Sequence, residues 1–434
     1  MSILNCIDPN VRVAHYGTNE YKNGNDIVAE AERIKSSLKG IKTIVLSEDN
    51  GIEWVEFYLA AMSMPLTLVV VDPLTDPNLV TEIVKKYNPD LFVSTRVEGA
   101  ISLKGFLKKA NTSTTNKNYE GEATLVMYTS GTSGKHNGVV MSCAQVIKNI
   151  FSSNEKLKIG DGDVFFHTVP FSHSMGHLIL LCCLFSSSTL IINTDSSMTF
   201  HGLLHSSSNI TVVPPVVLKG CINSELLINK LSGYRAIITG GAPLERALYD
   251  KLSNMGLRIY NGYGATECVC GIAIADTYKS PCYGAVEPLS WANIKIAESG
   301  EILVRGDCVC QMYDNNKVIA KDGYYHTKDV GEFDSAGRLF IHCRLDDIIV
   351  MDNGYKFKKN EIESKIESLP FIAGCLIEKT EGGSGITIYL AKTRNSRSSE
   401  DEQIILNLIA KQIKVDKITY VDNLYNERGK KVKQ

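Results

Sequence analysis

The apolar positions of the first 120 residues fall into two alternating periods. Residues 25–38 place apolar side chains at helical spacing, with Asp26 near the start, and residues 42–46 form a short β-branched run that reads as a strand. The alternation repeats: 54–62 reads as helix, 66–71 is an unbroken apolar run ending at Asp72 and Pro73, 78–87 reads as helix and 91–94 as strand. An unbroken run of this kind suits a strand buried on both faces of a parallel sheet. Strand and helix in regular succession predict an α/β fold with layered sheets.

A Thr, Asn and Ser cluster at 111–118 reads as a loop. From 124 to 274 the alternation resumes, with glycine-rich turns at the strand ends, where open α/β sheets bind ligands. Residues 211–218 read as a β-branched strand that meets Pro214 and Pro215. Residues 283–340 are strand-rich, a β-rich subdomain closing with a hairpin at Ser335, Ala336 and Gly337. Beyond Arg344 short strands and helices at 348–351, 360–369, 374–378, 386–391 and 402–413 predict a small α+β domain. The expected division is a large domain over 1–345 and a small mobile one over 346–434. No internal repeat is visible.

Bulk properties narrow the function. A chain of 434 residues suggests two or three domains, and 44% hydrophobic with 22% charged residues is ordinary globular composition. A net charge of -2 and the lack of a long basic run argue against nucleic acid as a partner. The N-terminus lacks a basic region followed by an apolar core, so no signal peptide is expected. The longest apolar stretch, 178–193, is broken by Ser186, Ser187, Ser188 and Thr189, which excludes a membrane span there. Cys268 and Cys270, and Cys308 and Cys310, lack the two-residue gap of zinc or redox motifs. The twelve cysteines are therefore expected to be reduced packing residues of a cytoplasmic protein.

The strongest chemical signal is Met-Tyr-Thr-Ser-Gly-Thr-Ser-Gly-Lys-His-Asn-Gly-Val at 127–139. An apolar strand feeds a loop of Thr129, Ser130, Gly131, Thr132, Ser133 and Gly134. Glycines let backbone approach an anion, and exposed N–H groups make a concavity for phosphate. The Walker pattern is absent. Residues 129–139 resemble the phosphate loop of the adenylate-forming superfamily, which includes the acyl-CoA synthetases, aryl- and acyl-acid ligases and peptide-synthetase adenylation domains. Further motifs follow in family order. Asn261, Gly262, Tyr263, Gly264, Ala265, Thr266 and Glu267 resemble the Tyr-Gly-x-Thr-Glu element. The stretch 300–306 resembles the strand before the Gly-x-x-x-Thr-x-Asp segment at 323–329, and Arg344 with 345–363 resembles the hinge. The end, 426–433, resembles the terminal lysine motif. The resemblance covers nearly the whole chain.

The resemblance implies an enzyme that activates a carboxylic acid with ATP as acyl-AMP, releases pyrophosphate, and passes the acyl group to the thiol of CoA or of phosphopantetheine on a carrier protein. It assigns Tyr263 to stack on the adenine, bordered by the turn of Gly240, Gly241 and Ala242. Thr266 would face the α-phosphate and Glu267 would hold Mg²⁺, whose ligands are hard oxygens. Asp329 would take the ribose hydroxyls and Arg344 another part of the nucleotide. Asp346 would be the hinge, and Lys430 would neutralise charge on the α-phosphate during adenylation. The Pro-Phe-Ser-His-Ser-Met-Gly run at 170–176 resembles the acid-binding element of acyl- and aryl-acid ligases, with His173 at the carboxylate end. His173 and His177 lack the Glu of a zinc motif.

Departures from the family pattern are local. His136 and Asn137 stand where the family has Pro and Lys, Lys328 and Cys343 replace glycines, and Tyr425 replaces a proline. The alternative they motivate is a degenerate nucleotide-binding regulator without ligase activity.

Overall fold

The computed structural model describes residues 2–18, 20–110, 121–128, 137–277, 282–380, 382–393, 399–422 and 424. The chain divides into two compact units. The first comprises Met1–Lys295, Leu303–Thr327 and Phe333–Phe340; the second comprises Ile296–Ile302, Lys328–Glu332 and Ile341–Gln434.

Among the described residues, the first unit holds two sheets. One has five strands in the order Leu91–Ser94, Thr43–Ser47, Thr67–Val70, Thr124–Tyr128 and Gly138–Ser142. The first four run parallel and the last returns antiparallel. In the other, the strands Arg12–His15, Thr189–Ile192, Val164–His167, Ile210–Val212, Ala236–Gly240 and Ile259–Ala265 lie side by side and parallel. Cys270–Asp276 and Ala285–Pro288 extend it antiparallel, and Leu339 and Phe340 pair beyond them. Runs such as Ala236–Gly240 are buried at every position, the pattern of a strand covered on both faces.

The helices Ile52–Ala61 and Ser174–Leu184 are predominantly apolar, and both are buried along almost their whole length. Amphipathic helices cover the outside. Cys143–Leu157 begins with a capping box between Ser142 and Gln145. Residues 211–218 are not one strand: Ile210–Val212 stops short, and a helix, Pro215–Cys221, starts with Pro215 at its first position. β-branched residues favour strand, but the proline's fixed φ suits a helix start and it cannot donate to a ladder.

In the second unit Ile372–Lys379 and Ile386–Lys392 pair antiparallel and Val415–Val421 adds in parallel. The helix Lys359–Glu367 and the hairpin of Ile348–Val350 with Lys356–Lys358 complete it. Ile349, Phe357, Ile366, Ile377, Ile388 and Ile405 belong to its larger apolar core, and Leu376, Ala391 and Leu424 form a second cluster. Residues 402–413 are expected as one helix, but the helix is Ser399–Asn407, and Ile409 and Ile413 reach the same core from the turns beyond it. Among the described residues no helix is long and apolar enough to cross a membrane. All twelve cysteines are free thiols.

Candidate active site

Because Val164–His167, Ile210–Val212, Ala236–Gly240 and Ile259–Ala265 run parallel, the segments that follow them leave from one edge of the sheet. The segment after His167 turns at Pro170 and enters the helix Ser174–Leu184 with His173 at its N-cap. Gly176 is needed in its first turn, since a Cβ there would lie 2.0 Å from the Pro170 carbonyl oxygen. The carboxyl edge of the other sheet holds this loop. Asn50 donates to the Val169 carbonyl and accepts from the Phe171 N–H, both at 2.8 Å. Asp72, just past Thr67–Val70, hydrogen-bonds His173 Nε2 through its Oδ2.

Gly240 and Gly262 face each other in register on neighbouring strands. A Cβ on Gly240 would sit 2.8 Å from the Gly262 carbonyl oxygen and 3.5 Å from Met175 Sδ. Gly241 follows at φ +74°, and the nearest atom to a Cβ there is Met175 Cε at 4.0 Å. Gly241 and Ala242 are exposed. This turn offers bare backbone to which a flat group can come close, with half-buried Tyr263 one position beyond Gly262.

The next strand carries Asn261 to Gly264 into a 3₁₀ turn, Thr266–Cys268. Gly264 packs so tightly that a Cβ would lie 1.7 Å from the Cys270 carbonyl oxygen. Val269 and Cys270 take φ of 59° and 106°, conformations that L side chains adopt at a cost of about 1–3 kcal/mol each. This strained reversal follows directly on Thr266 and Glu267. Thr266 Oγ1 donates to Ser174 Oγ at 3.4 Å, which sets Thr266 beside the N-terminus of the His173 helix. Glu267 Oε1 accepts from the Tyr313 hydroxyl at 2.7 Å, and its backbone carbonyl accepts from the Cys310 N–H at 2.8 Å. Burial, and next the Glu267 carboxylate, push the hydroxyls of Tyr313 and Tyr325 well above the usual phenol range, so both remain protonated beside it.

The predicted phosphate-loop residues Thr129, Ser130, Gly131, Thr132, Ser133 and Gly134 lie outside the described residues; their anchors do not. Thr124–Tyr128 and Gly138–Ser142 pair from Thr124 with Ser142 to Tyr128 with Gly138. Asp314 fastens this hairpin. Its Oδ2 accepts from Tyr128 at 2.6 Å, Tyr87 at 3.0 Å and Lys86 at 2.7 Å, and its N–H donates to the Gly138 carbonyl at 2.7 Å. Burial raises the Asp314 carboxyl, but the bonds from Lys86, Tyr128 and Tyr87 outweigh it and leave the group below the usual carboxylate range. Asn137 accepts from the Asn315 side chain at 3.2 Å.

In the second unit Arg344 Nη1 bonds Asp329 Oδ1 at 3.1 Å. Lys328, where the family pattern has glycine, takes φ 61°, and its N–H donates to Glu301 Oε1 at 3.0 Å. The predicted Lys430 lies outside the described residues.

Among the described residues no three His, Cys, Asp or Glu side chains gather to hold a metal. Glu267 is a single hard oxygen donor with one oxygen already bonded to Tyr313. That set fits Mg²⁺ completed by phosphate oxygens and water, and does not fit zinc.

A family model described as AMP-binding enzyme matches residues 26–314, more than half of the chain. The chain belongs to the AMP-binding enzyme family. A 4-coumarate–CoA ligase of Oryza sativa subsp. japonica is 27% identical over 343 residues, covering 69% of this chain and 62% of that protein. A 2-succinylbenzoate–CoA ligase of Lactococcus lactis is 27% identical over 317 residues, covering 70% and 69%. The chain spans about three fifths of the length of the rice and Arabidopsis 4-coumarate–CoA ligases it matches. The fold is that of the O-succinylbenzoate coenzyme A synthetase of Bacillus subtilis solved with AMP, with TM-score 0.83, 20% identity, and 99% and 96% of the two chains covered. ATP-bound MatB from Rhodopseudomonas palustris gives TM-score 0.84 at 19% identity, with 99% and 96% covered.

This AMP-binding enzyme thus brings His173, Gly240, Gly241 and Thr266 to one sheet edge, with Glu267 following Thr266. The motifs do not identify Asp72, Asn50, Tyr313 or Asp314. For Asp72 a signal existed: it directly follows the buried apolar run of a parallel strand, at the edge where such sheets bind ligands.

Proposed function

We propose that this chain activates a carboxylic acid with ATP to acyl-AMP, releasing pyrophosphate, and transfers the acyl group to a thiol. The observation that carries this reading is the approach of Thr266 to Ser174, which joins the phosphate-facing turn to the helix headed by His173. In the proposed arrangement the Gly240–Gly241–Ala242 turn and Tyr263 enclose adenine, Asn261, Gly262 and Gly264 shape that wall, and the loop 129–134 cradles phosphates. Thr266 donates to the α-phosphate. Glu267, whose Oε2 has no hydrogen-bond partner among the described residues, would hold Mg²⁺, which would supply positive charge toward the phosphates. Asp329 takes the ribose, held in place by Arg344. Lys430 neutralises charge as the acid oxygen attacks.

We assign the nucleotide and acyl sites to residues 1–345, and a lid hinged at Asp346 to residues 346–434. The acid is acyl or aryl, because His173 heads an apolar helix. CoA is the acceptor favoured by the named relatives, several of which are CoA ligases; a phosphopantetheine carrier protein is the other candidate. Free thiols throughout fit the cytoplasm. The test is AMP production by the purified chain with ATP, Mg²⁺, CoA and a panel of acids, with the thioester detected by mass. AMP and thioester formed together with one acid class support the reading. ATP binding without AMP from any acid would favour the nucleotide-binding regulator.

A further inference from the structure

His173 is held through both its backbone and its side chain. Its N–H donates to the Pro170 carbonyl at 3.1 Å and its carbonyl accepts from the His177 N–H at 2.8 Å, which fixes its backbone at the head of the helix. Asn50 clamps the loop in front of it. The imidazole Nε2 is bonded to Asp72 Oδ2. Asp72 is itself 8% exposed, and its Oδ1 accepts from the Leu74 N–H at 2.7 Å. The ring is thus set by a buried carboxylate that its own turn holds in place, while the His173 side chain remains 38% exposed.

The orientation has a chemical consequence. An ionised carboxylate accepts and does not donate, so the proton of a neutral His173 sits on Nε2 and the lone pair on Nδ1. Nδ1 has no hydrogen-bond partner among the described residues. A lone pair at Nδ1 suits the proton of a thiol. The first half of the proposed reaction brings a carboxylate to this place; the second half brings a thiol.

We propose that Asp72 is a positioning residue that fixes His173 as the proton acceptor for the incoming thiol. This rests on the function proposed above. The sulfur forms a bond to the acyl carbon, the S–H proton passes to His173 Nδ1, and the acyl C–O bond breaks with its electron pair leaving on AMP. The imidazolium, paired with the Asp72 carboxylate, then gives the proton to solvent. General-base assistance of this kind contributes about 10²–10⁴-fold.

The test separates the two half-reactions in Asp72→Asn and His173→Gln. Adenylation is read by ATP–pyrophosphate exchange, and thioester formation by single turnover of preformed acyl-AMP with CoA. Both variants should lose thioester formation about 10²-fold, at least about tenfold more than they lose exchange. Circular dichroism and the thermal midpoint monitor folding, and His173→Gln, which keeps a donor toward Asp72, serves if Asp72→Asn folds poorly. Equal losses in both halves, or unimpaired thioester formation, would overturn the proposal and leave the ligase reading standing. Absence of exchange in the unaltered protein with every acid would remove both.

Discussion

His177 gives the sharpest test of the packing behind the site. It is 2% exposed, its Nε2 bonds the Tyr58 hydroxyl at 2.7 Å, and burial pushes it down to about 3 from an ordinary 6.5. Nearby His167 is pushed down to about 4 for the same reason. The unfolded chain takes up both protons as pH falls below about 6.5, and the folded chain does not, so each histidine removes stability from there down to its folded value. Glu56 acts in the opposite sense. Burial raises it to about 7 from 4.5, so its contribution is full below 4.5 and is lost as pH rises toward 7. Between pH 6.5 and 4.5 the three groups leave a net uptake of about one proton on unfolding, about 1.4 kcal/mol lost per pH unit. His177→Gln keeps an amide for Tyr58 and cancels that slope. The two proteins should differ by about 1.4 kcal/mol per pH unit, or roughly 2.7 kcal/mol over the window, a large share of a typical stability. Urea unfolding followed by tryptophan fluorescence at several pH values measures it. Both tryptophans, Trp54 and Trp291, lie in the first unit, and Trp54 stacks on Tyr58 with centroids 5.1 Å apart. Equal slopes in the two proteins would rule this origin out, because they require His177 to ionise without unfolding.

Three further changes probe the site. Tyr313→Phe removes the bond to Glu267, and because a bond to a charged acceptor contributes about 1.5–3 kcal/mol, adenylation at limiting Mg²⁺ should fall roughly tenfold or more; saturation curves in Mg²⁺ check it. Gly264→Ala places a Cβ against the Cys270 carbonyl, so the turn carrying Thr266 and Glu267 must shift; about 1–3 kcal/mol of stability and most of the pyrophosphate exchange should be lost, read by urea titration and exchange rate. Lys328→Gly relieves a left-handed backbone and should raise stability by up to about 1 kcal/mol, visible in the unfolding midpoint of the second unit.

Much of the first unit is legible in the sequence because its strands are continuous apolar runs. The run over 66–71 appears as Thr67–Val70. The error at 211–218 arises where strand propensity meets two prolines, and the geometry of Pro215 at a helix start prevails. At the site, the glycines of 240–241 and 262–264 are readable because they are backbone requirements, each with a carbonyl or an open face where a side chain would stand. Asp72, Asn50, Tyr313 and Asp314 are not readable in the same way. Their partners are far along the chain, as with the Tyr128–Asp314 bond spanning 186 positions, and only the meeting of the strand ends brings them together.

Whether this chain makes acyl-AMP is tested most directly by ATP–pyrophosphate exchange. Purified protein is given fatty, aryl and amino acids in turn, with Lys430→Ala as the control. Exchange should depend on one class of acyl or aryl acid and fall about 10²–10³-fold in the variant. No exchange with any acid, or exchange undiminished in Lys430→Ala, would contradict acyl-AMP formation by the residues assigned to it.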